Sequence, residues 1–150
     1  MYLTCGENIF IAPIQLNWER VIGIYDSEKE NFVYGEGAKS PDKPIGHYTQ
    51  LVWDRSFFLG CAIAYCPSNP PMYIYVCQYC PAGNVNSLNF PYKSGQPCED
   101  CTESCSDNLC MSPCPYTDFF SNCAEFKEKC QDPDIYKHCT ATCSCKSEIM

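Results

Sequence analysis

Apolar and polar positions along the chain alternate with two different periods. Trp18, Val21, Ile22 and Tyr25 recur at i, i+3, i+4 and i+7, one stripe of an amphipathic helix predicted over residues 15–29. Glu19, Arg20 and Asp26 fall on its other side, and Pro13 lies just ahead, suited to a helix start. Gly35 and Gly37 close this region, and Pro41 and Pro44 mark an exposed loop. Residues 57–66 and 72–80 are rich in aromatic and β-branched side chains and read as strands. The Pro67-Ser68-Asn69-Pro70-Pro71 link between them reads as a turn. Centring that hairpin on Asn69 makes paired residue numbers sum to 138, which sets Cys61 opposite Cys77. Directly opposed Cβ atoms lie about 4.5–5.5 Å apart, within reach of a bridge after small adjustment.

The character changes after this hairpin. Residues 82–97 are mostly Gly, Asn, Ser and Pro, a linker or a wrapped loop. From Cys98 onward ten cysteines fall within 48 residues, and only Phe119, Phe120, Phe126, Ile135 and Tyr136 offer material for a core. A boundary near Gln96 follows, with a disulfide-stapled module beyond it holding short helices over 118–129 and around Tyr136.

Fifteen of the 150 residues are cysteine. That density belongs to chains that mature in an oxidising compartment, so the protein is expected to be secreted and extracellular. The 45% hydrophobic content includes these cysteines and eleven Tyr, so bridges must supply stability that a thin aliphatic core cannot. Cys77-x₂-Cys80-x₁₇-Cys98-x₂-Cys101 has a four-cysteine zinc spacing, but it leaves eleven cysteines unexplained and takes Cys77 from Cys61.

The net charge of −8 is uneven. Residues 1–97 carry eight acids and six bases; residues 98–150 carry ten acids and four bases. That sign disfavours nucleic acid, since no cationic surface exists to release counterions. No stretch approaches the roughly 20 apolar residues that span a bilayer. Met1-Tyr2-Leu3-Thr4 runs straight into Cys5 with no leader, and the cysteine count is odd. Both features lead to the expectation that a natural N-terminal segment precedes this sequence.

Three motifs carry a resemblance. Gly46-His47-Tyr48-Thr49-Gln50-Leu51-Val52-Trp53 resembles the first signature of the CAP superfamily, which includes the cysteine-rich secretory proteins. Tyr75-Val76-Cys77-Gln78-Tyr79-Cys80-Pro81-Ala82-Gly83-Asn84 resembles its second signature, and Cys5-Gly6-Glu7-Asn8-Ile9 a third block. The spacing Cys-x₈-Cys-x₆-Cys-x₈-Cys-x₃-Cys-x-Cys from Cys114 to Cys145 is similar to the ion-channel-regulatory domain of that family, itself akin to a sea-anemone potassium-channel toxin fold.

The resemblance implies an α+β fold: a partial CAP α-β-α sandwich over residues 1–92, a linker and Cys-rich hinge over 93–113, and a small, mainly helical toxin-like domain over 114–150. It implies the bridges Cys5–Cys80, Cys61–Cys77, Cys98–Cys105, Cys101–Cys110, Cys114–Cys145, Cys123–Cys139 and Cys130–Cys143. It leaves Cys66 as a free thiol whose partner would lie in the preceding segment. In such relatives two histidines and two glutamates line a cleft that binds a divalent metal. His47, Glu7 and Glu28 match three of these positions, an incomplete zinc site, so zinc is expected only of a longer chain. The residues themselves also read as a hydrogen-bonded structural cluster, and His138 as a surface residue.

No catalytic residue set is expected. Thr49 and Ser56 lie near His47 in sequence, but nothing marks either as an activated nucleophile, and no G-x-S-x-G or H-E-x-x-H pattern occurs. The resemblance implies instead a non-enzymatic binding protein acting on an ion channel or another cell-surface protein. Tyr136-Lys137 stands in reverse order to the lysine–aromatic pair of pore-plugging toxins. An aromatic strip of Phe119, Phe120, Phe126 and Tyr136 is the broader candidate for contact. The alternatives are sterol or lipid binding by the CAP part, for which Pro70-Pro71-Met72-Tyr73 is a weak apolar candidate, or gamete adhesion. Reproductive-tract and venom settings are equally compatible, and no Asn-x-Ser/Thr acceptor narrows them.

Overall fold

The computed structural model describes residues 4–102, 105–110, 116, 118–120 and 122–145. The chain divides into two compact units, residues 1–93 and 94–150. Mixed helix and sheet content makes the fold α+β.

The first unit is built on a three-stranded antiparallel sheet. Its strands are β1 (Gly6–Ala12), β4 (Phe58–Cys66) and β5 (Met72–Cys80), in the spatial order β1-β5-β4. The β4–β5 register runs Phe58↔Cys80 through Cys66↔Met72, so paired numbers sum to 138, as a hairpin centred on Asn69 requires. Cys61 thus lies opposite Cys77, and a disulfide joins them at a Cα–Cα distance of 4.1 Å. A second bridge, Cys5–Cys80, ties the start of β1 to the end of β5.

Helix α1, Trp18–Ser27, is shorter than the predicted 15–29 because Asn17 caps it: its side chain accepts from the Arg20 amide at 2.9 Å. Residues Glu28–Asn31 continue as a 3₁₀ turn. Pro13 stays outside the helix. The segment between is pinned to the sheet by the Tyr75 hydroxyl, which accepts from the Leu16 amide at 2.6 Å and donates to the Leu16 carbonyl at 2.9 Å. Val21, Tyr25 and Tyr75 form the buried core, with Phe10, Leu16, Trp18, Ile22, Leu51 and Tyr73 packed around them. The Trp18 ring meets Tyr75 edge-on at 5.4 Å. All four stripe residues therefore face this core, as their spacing demands.

Two small strands, β2 (Phe32–Val33) and β3 (Gly37–Ala38), form a ribbon, followed by the six-residue helix α2, Gly46–Leu51. Strand alternation assigns the two sheet faces. Asn8, Phe10 and Ala12 of β1 share a face with Tyr75, Cys77 and Tyr79 of β5, and this face packs under the helices. Ile9 and Ile11 point the other way with Ile74, Val76, Ala62 and Ala64, and that face is exposed at Ile9 and Ile11.

The second unit is held by disulfides. The ribbon β6 (Cys105–Ser106) and β7 (Leu109–Cys110) turns through Asp107 and Asn108, both at positive φ, as a two-residue hairpin turn with two left-handed residues requires. Cys105 and Cys110 lie opposite each other, and each reaches back to the preceding loop, to Cys98 and Cys101 respectively. Further on, a 3₁₀ segment Cys123–Lys129 precedes helices α3 (Pro133–His138) and α4 (Thr140–Ser144). Cys123–Cys139 and Cys130–Cys143 lock these pieces together around buried Cys123, Cys139 and Ala141. Helical structure starts at Cys123 rather than at residue 118 because the Asp118 side chain is used elsewhere. Its carboxylate accepts from the Thr142 amide at 3.0 Å and hydroxyl at 2.6 Å, satisfying a first-turn donor of α4. Cys114 lies outside the described residues, and its expected bridge to Cys145 with it.

Candidate functional site

Glu28 follows directly on α1 and is buried. Its Oε2 accepts from the His47 amide at 2.8 Å and the Tyr48 amide at 3.2 Å. These are first-turn donors of α2, so the carboxylate acts as a long-range cap on a helix that has no side-chain cap of its own. Its Oε1 lies 2.7 Å from the His47 Nδ1. A carboxylate oxygen accepts, so Nδ1–H donates to it and Nε2 is the ring nitrogen left outside this pair. The imidazole stacks on Tyr25 at 5.0 Å between centroids, 20° from parallel.

The rest of the α2 motif is equally committed. Asn8, fully buried, donates to the His47 carbonyl at 2.9 Å and to the Tyr79 hydroxyl oxygen at 3.4 Å. The Thr49 hydroxyl donates to Asn84 Oδ1 at 2.7 Å. Gln50 accepts from the Gly83 amide at 3.0 Å and donates to Ser56 Oγ at 3.1 Å, while Ser56 donates to the Pro81 carbonyl at 2.8 Å. Gly83 is required here: a Cβ would come within 2.9 Å of the Trp53 Cβ and 2.5 Å of the Gln50 amide nitrogen. The segments 46–53, 75–84 and 5–9 are thus three parts of one polar clamp.

One hydroxyl in the clamp has no partner. Tyr25 is 1% exposed, and its phenol oxygen makes no hydrogen bond. Burial, with a smaller contribution from Tyr79, pushes its pKa up to about 12. Burial does the same for Tyr48, also to about 12, helped by a hydrogen bond with Tyr92.

The structure brings His47 and Glu28 together and leaves Glu7 apart. Glu7 pairs with Gln78 in the β1–β5 register, on the sheet face opposite Asn8, and its carboxylate accepts from the Gln78 side-chain amide at 2.6 Å. With one imidazole, and both Glu28 oxygens engaged, this donor set does not make a closed four-ligand zinc site. Among the described residues, one group of three potential ligand atoms lies mutually within 4.8 Å: Cys98, Cys101 and Cys110. All three are in disulfides, as are Cys77 and Cys80, so none offers a thiolate. Cys66 is free and half-buried at the end of β4.

In the second unit, Phe119 is 61%, Phe120 50% and Tyr136 48% exposed. The two phenylalanine rings meet edge-on at 4.9 Å, and both lie against His138, at 5.9 and 5.7 Å. The Phe119 amide donates to the His138 carbonyl at 2.7 Å, and the Cys123–Cys139 bridge closes the same corner. His138 is therefore the buttress of the aromatic pair, a role that adjacency to Cys139 in sequence did not signal. Tyr136 accepts from Ser144 Oγ at 3.1 Å. Phe126 is half-buried beneath the Lys129 ammonium, 5.6 Å from its ring, so it is the least available of the four aromatic candidates. Lys137 is exposed on α3, next to Tyr136.

A disulfide-tied α+β chain with this clamp defines a class of protein, and comparison with known families agrees. The family model described as cysteine-rich secretory protein family matches residues 5–79, and the model described as Crisp matches residues 98–150. The chain belongs to the cysteine-rich secretory protein family. The solved structure of BmVAL-1 is similar in fold, with a TM-score of 0.50 at 24% identity over 71% of this chain and 60% of that one. This chain therefore spans less than two thirds of the BmVAL-1 chain.

Proposed function

We infer that this protein is a secreted, non-enzymatic binding protein that docks on an ion channel or another cell-surface protein through its second unit. The observation that carries the reading is the exposed pair Phe119 and Phe120, fixed by His138 and by a disulfide. Aromatic side chains held rigid before binding lose little entropy on docking and supply the largest contact energies at interfaces. Tyr136 and Lys137 extend the same surface candidate along α3. The working division of the chain is a CAP part over 1–92, a Cys-rich hinge over 93–113 and the docking module over 114–150.

Secretion is supported by the six bridges among the described residues, a load that reducing compartments do not sustain. Among the described residues no helix is long and apolar enough to cross a membrane. Absence of catalysis is supported by the clamp. The His47 Nδ1 is held by Glu28, and the Thr49 and Ser56 hydroxyls donate to Asn84 and the Pro81 carbonyl, so within the clamp neither of these two hydroxyls donates to His47 as its base. The test is electrophysiology of the full chain, applied externally to cells expressing a panel of cation channels. Current block or shifted gating that is lost with Phe119→Ala and Phe120→Ala supports the reading. A null panel together with no saturable cell-surface binding refutes it.

A further inference from the structure

Of the nine asparagines in the chain, one has a hydroxyl or thiol side chain two residues on: Asn108, in the run Asn108-Leu109-Cys110. The fold places it at the tip of the β6–β7 ribbon, where Asp107 and Asn108 make the two-residue turn at φ 51° and 64°. Asparagine tolerates positive φ better than most side chains do. Residues 105–110 are all exposed, Leu109 by 68%. Other asparagines are committed to the fold: Asn8, Asn17, Asn84 and Asn89 each hold a tertiary or capping hydrogen bond. The Asn108 carboxamide holds none among the described residues.

We propose that Asn108 is an N-glycosylation site whose acceptor group is the Cys110 thiol. In the usual acceptor run, Asn-x-Ser/Thr, the hydroxyl two residues on is the recognised hydrogen-bonding group, and x is any residue but Pro. A thiol is also a donor and an acceptor, though a weak one, and Leu109 satisfies the middle position. The Asn108 carboxamide nitrogen attacks the anomeric carbon of an oligosaccharide carried on a lipid diphosphate. A C–N bond forms, the bond from that carbon to the phosphate oxygen breaks, the lipid diphosphate leaves, and the nitrogen gives up one proton. The exposed tip leaves room for a bulky, hydrophilic product.

The same sulfur has a second fate. Cys110 is bonded to Cys101, nine positions earlier. A disulfide sulfur has no S–H to offer, so transfer must precede the bridge. Cys101 enters an oxidising compartment ahead of Cys110, and the bridge can close as soon as Cys110 arrives. Glycan transfer and bridge closure therefore compete for one thiol. A sugar on Asn108 leaves the Cys110 sulfur unmodified, so the bridge still closes after transfer. The chain should emerge in two forms that share the Cys101–Cys110 bridge and differ at Asn108. This rests on the secreted reading of the protein and is independent of docking.

The experiment directs the full chain into the secretory pathway of mammalian cells, so the site is tested apart from the question of secretion. Cell-retained and secreted chain are pooled, so a variant that folds poorly still counts. Glycan is released enzymatically in heavy-oxygen water, which turns an occupied Asn108 into labelled Asp, and peptide mapping gives the labelled fraction. The wild type should be partly labelled at this position. Cys101→Ala, which removes the competing bridge, should raise the fraction at least twofold. Cys110→Ser, which supplies the stronger hydroxyl, should raise it further. Leu109→Pro and Cys110→Ala should abolish it. An unlabelled wild type, label that survives Cys110→Ala, or a fraction indifferent to Cys101→Ala would each overturn the proposal.

Discussion

The Glu28 carboxylate holds both the imidazole and the backbone amide of His47, at 2.7 and 2.8 Å. One buried side chain thereby fixes the ring that stacks on Tyr25 and the helix start that carries the ring. Glu28→Ala should destabilise the first unit by about 1–2 kcal/mol, because it leaves three part-buried donors of His47 and Tyr48 without their acceptor. Glu28→Gln should cost about half as much, since its amide oxygen still accepts. Urea titration followed by near-ultraviolet circular dichroism, with all bridges oxidised, measures both.

The unpartnered Tyr25 hydroxyl predicts a substitution that does not destabilise. A buried hydroxyl without a hydrogen bond is a net cost, so Tyr25→Phe should be neutral or stabilising by up to ~1 kcal/mol at neutral pH. The pH dependence carries a sign. The folded Tyr25 keeps its proton to about pH 12, whereas an unfolded tyrosine loses it near pH 10. Above pH 10 the unfolded chain therefore binds fewer protons, and stability falls as pH rises. Tyr25→Phe should remove its share of that fall, which stability curves between pH 8 and 11 will show.

Zinc should bind weakly. His47 offers one free ring nitrogen, Glu28 is engaged on both oxygens, and Glu7 lies on the far sheet face. Titration calorimetry should give an affinity weaker than ~1 μM, with His47→Ala changing it less than about twofold. Sub-micromolar binding abolished by His47→Ala would show that the two carboxylates rearrange around the metal.

Graded reduction should unfold the second unit first. Its described core rests on Cys123, Cys139 and Ala141 tied by short-range bridges, whereas the first unit also buries Val21, Tyr25 and Tyr75. Hydrogen exchange under increasing reductant should show protection lost over residues 122–145 before β5. Simultaneous loss would contradict this.

The hairpin and α1 were legible in the sequence because each has a strong period and a clear stop. β1 was not, because its alternation is inverted: polar Asn8 faces the core while Ile9 and Ile11 face out. α2 has six residues, too few for a periodic signal, and its buried Thr49 and Gln50 read as solvated polar positions until the loop that binds them is in place. β4 reads as a core strand, yet Phe58, Leu59, Ile63 and Tyr65 are exposed because it is an edge strand. At the candidate docking surface the aromatic residues were visible in the sequence. The tertiary contact with His138 was not, since it joins residues 18 and 19 positions apart.

Saturation binding of fluorescently labelled chain to intact cells that respond to it tests docking through the second unit most directly. The Phe119→Ala, Phe120→Ala double variant should keep the bridges of the wild type on a non-reducing peptide map and lose at least tenfold in affinity, as removal of two central aromatic contacts entails. Glu28→Gln, a change in the first unit, should bind within twofold of wild type. Unchanged affinity of the double variant, with its bridges intact, would place the binding surface elsewhere and contradict the account.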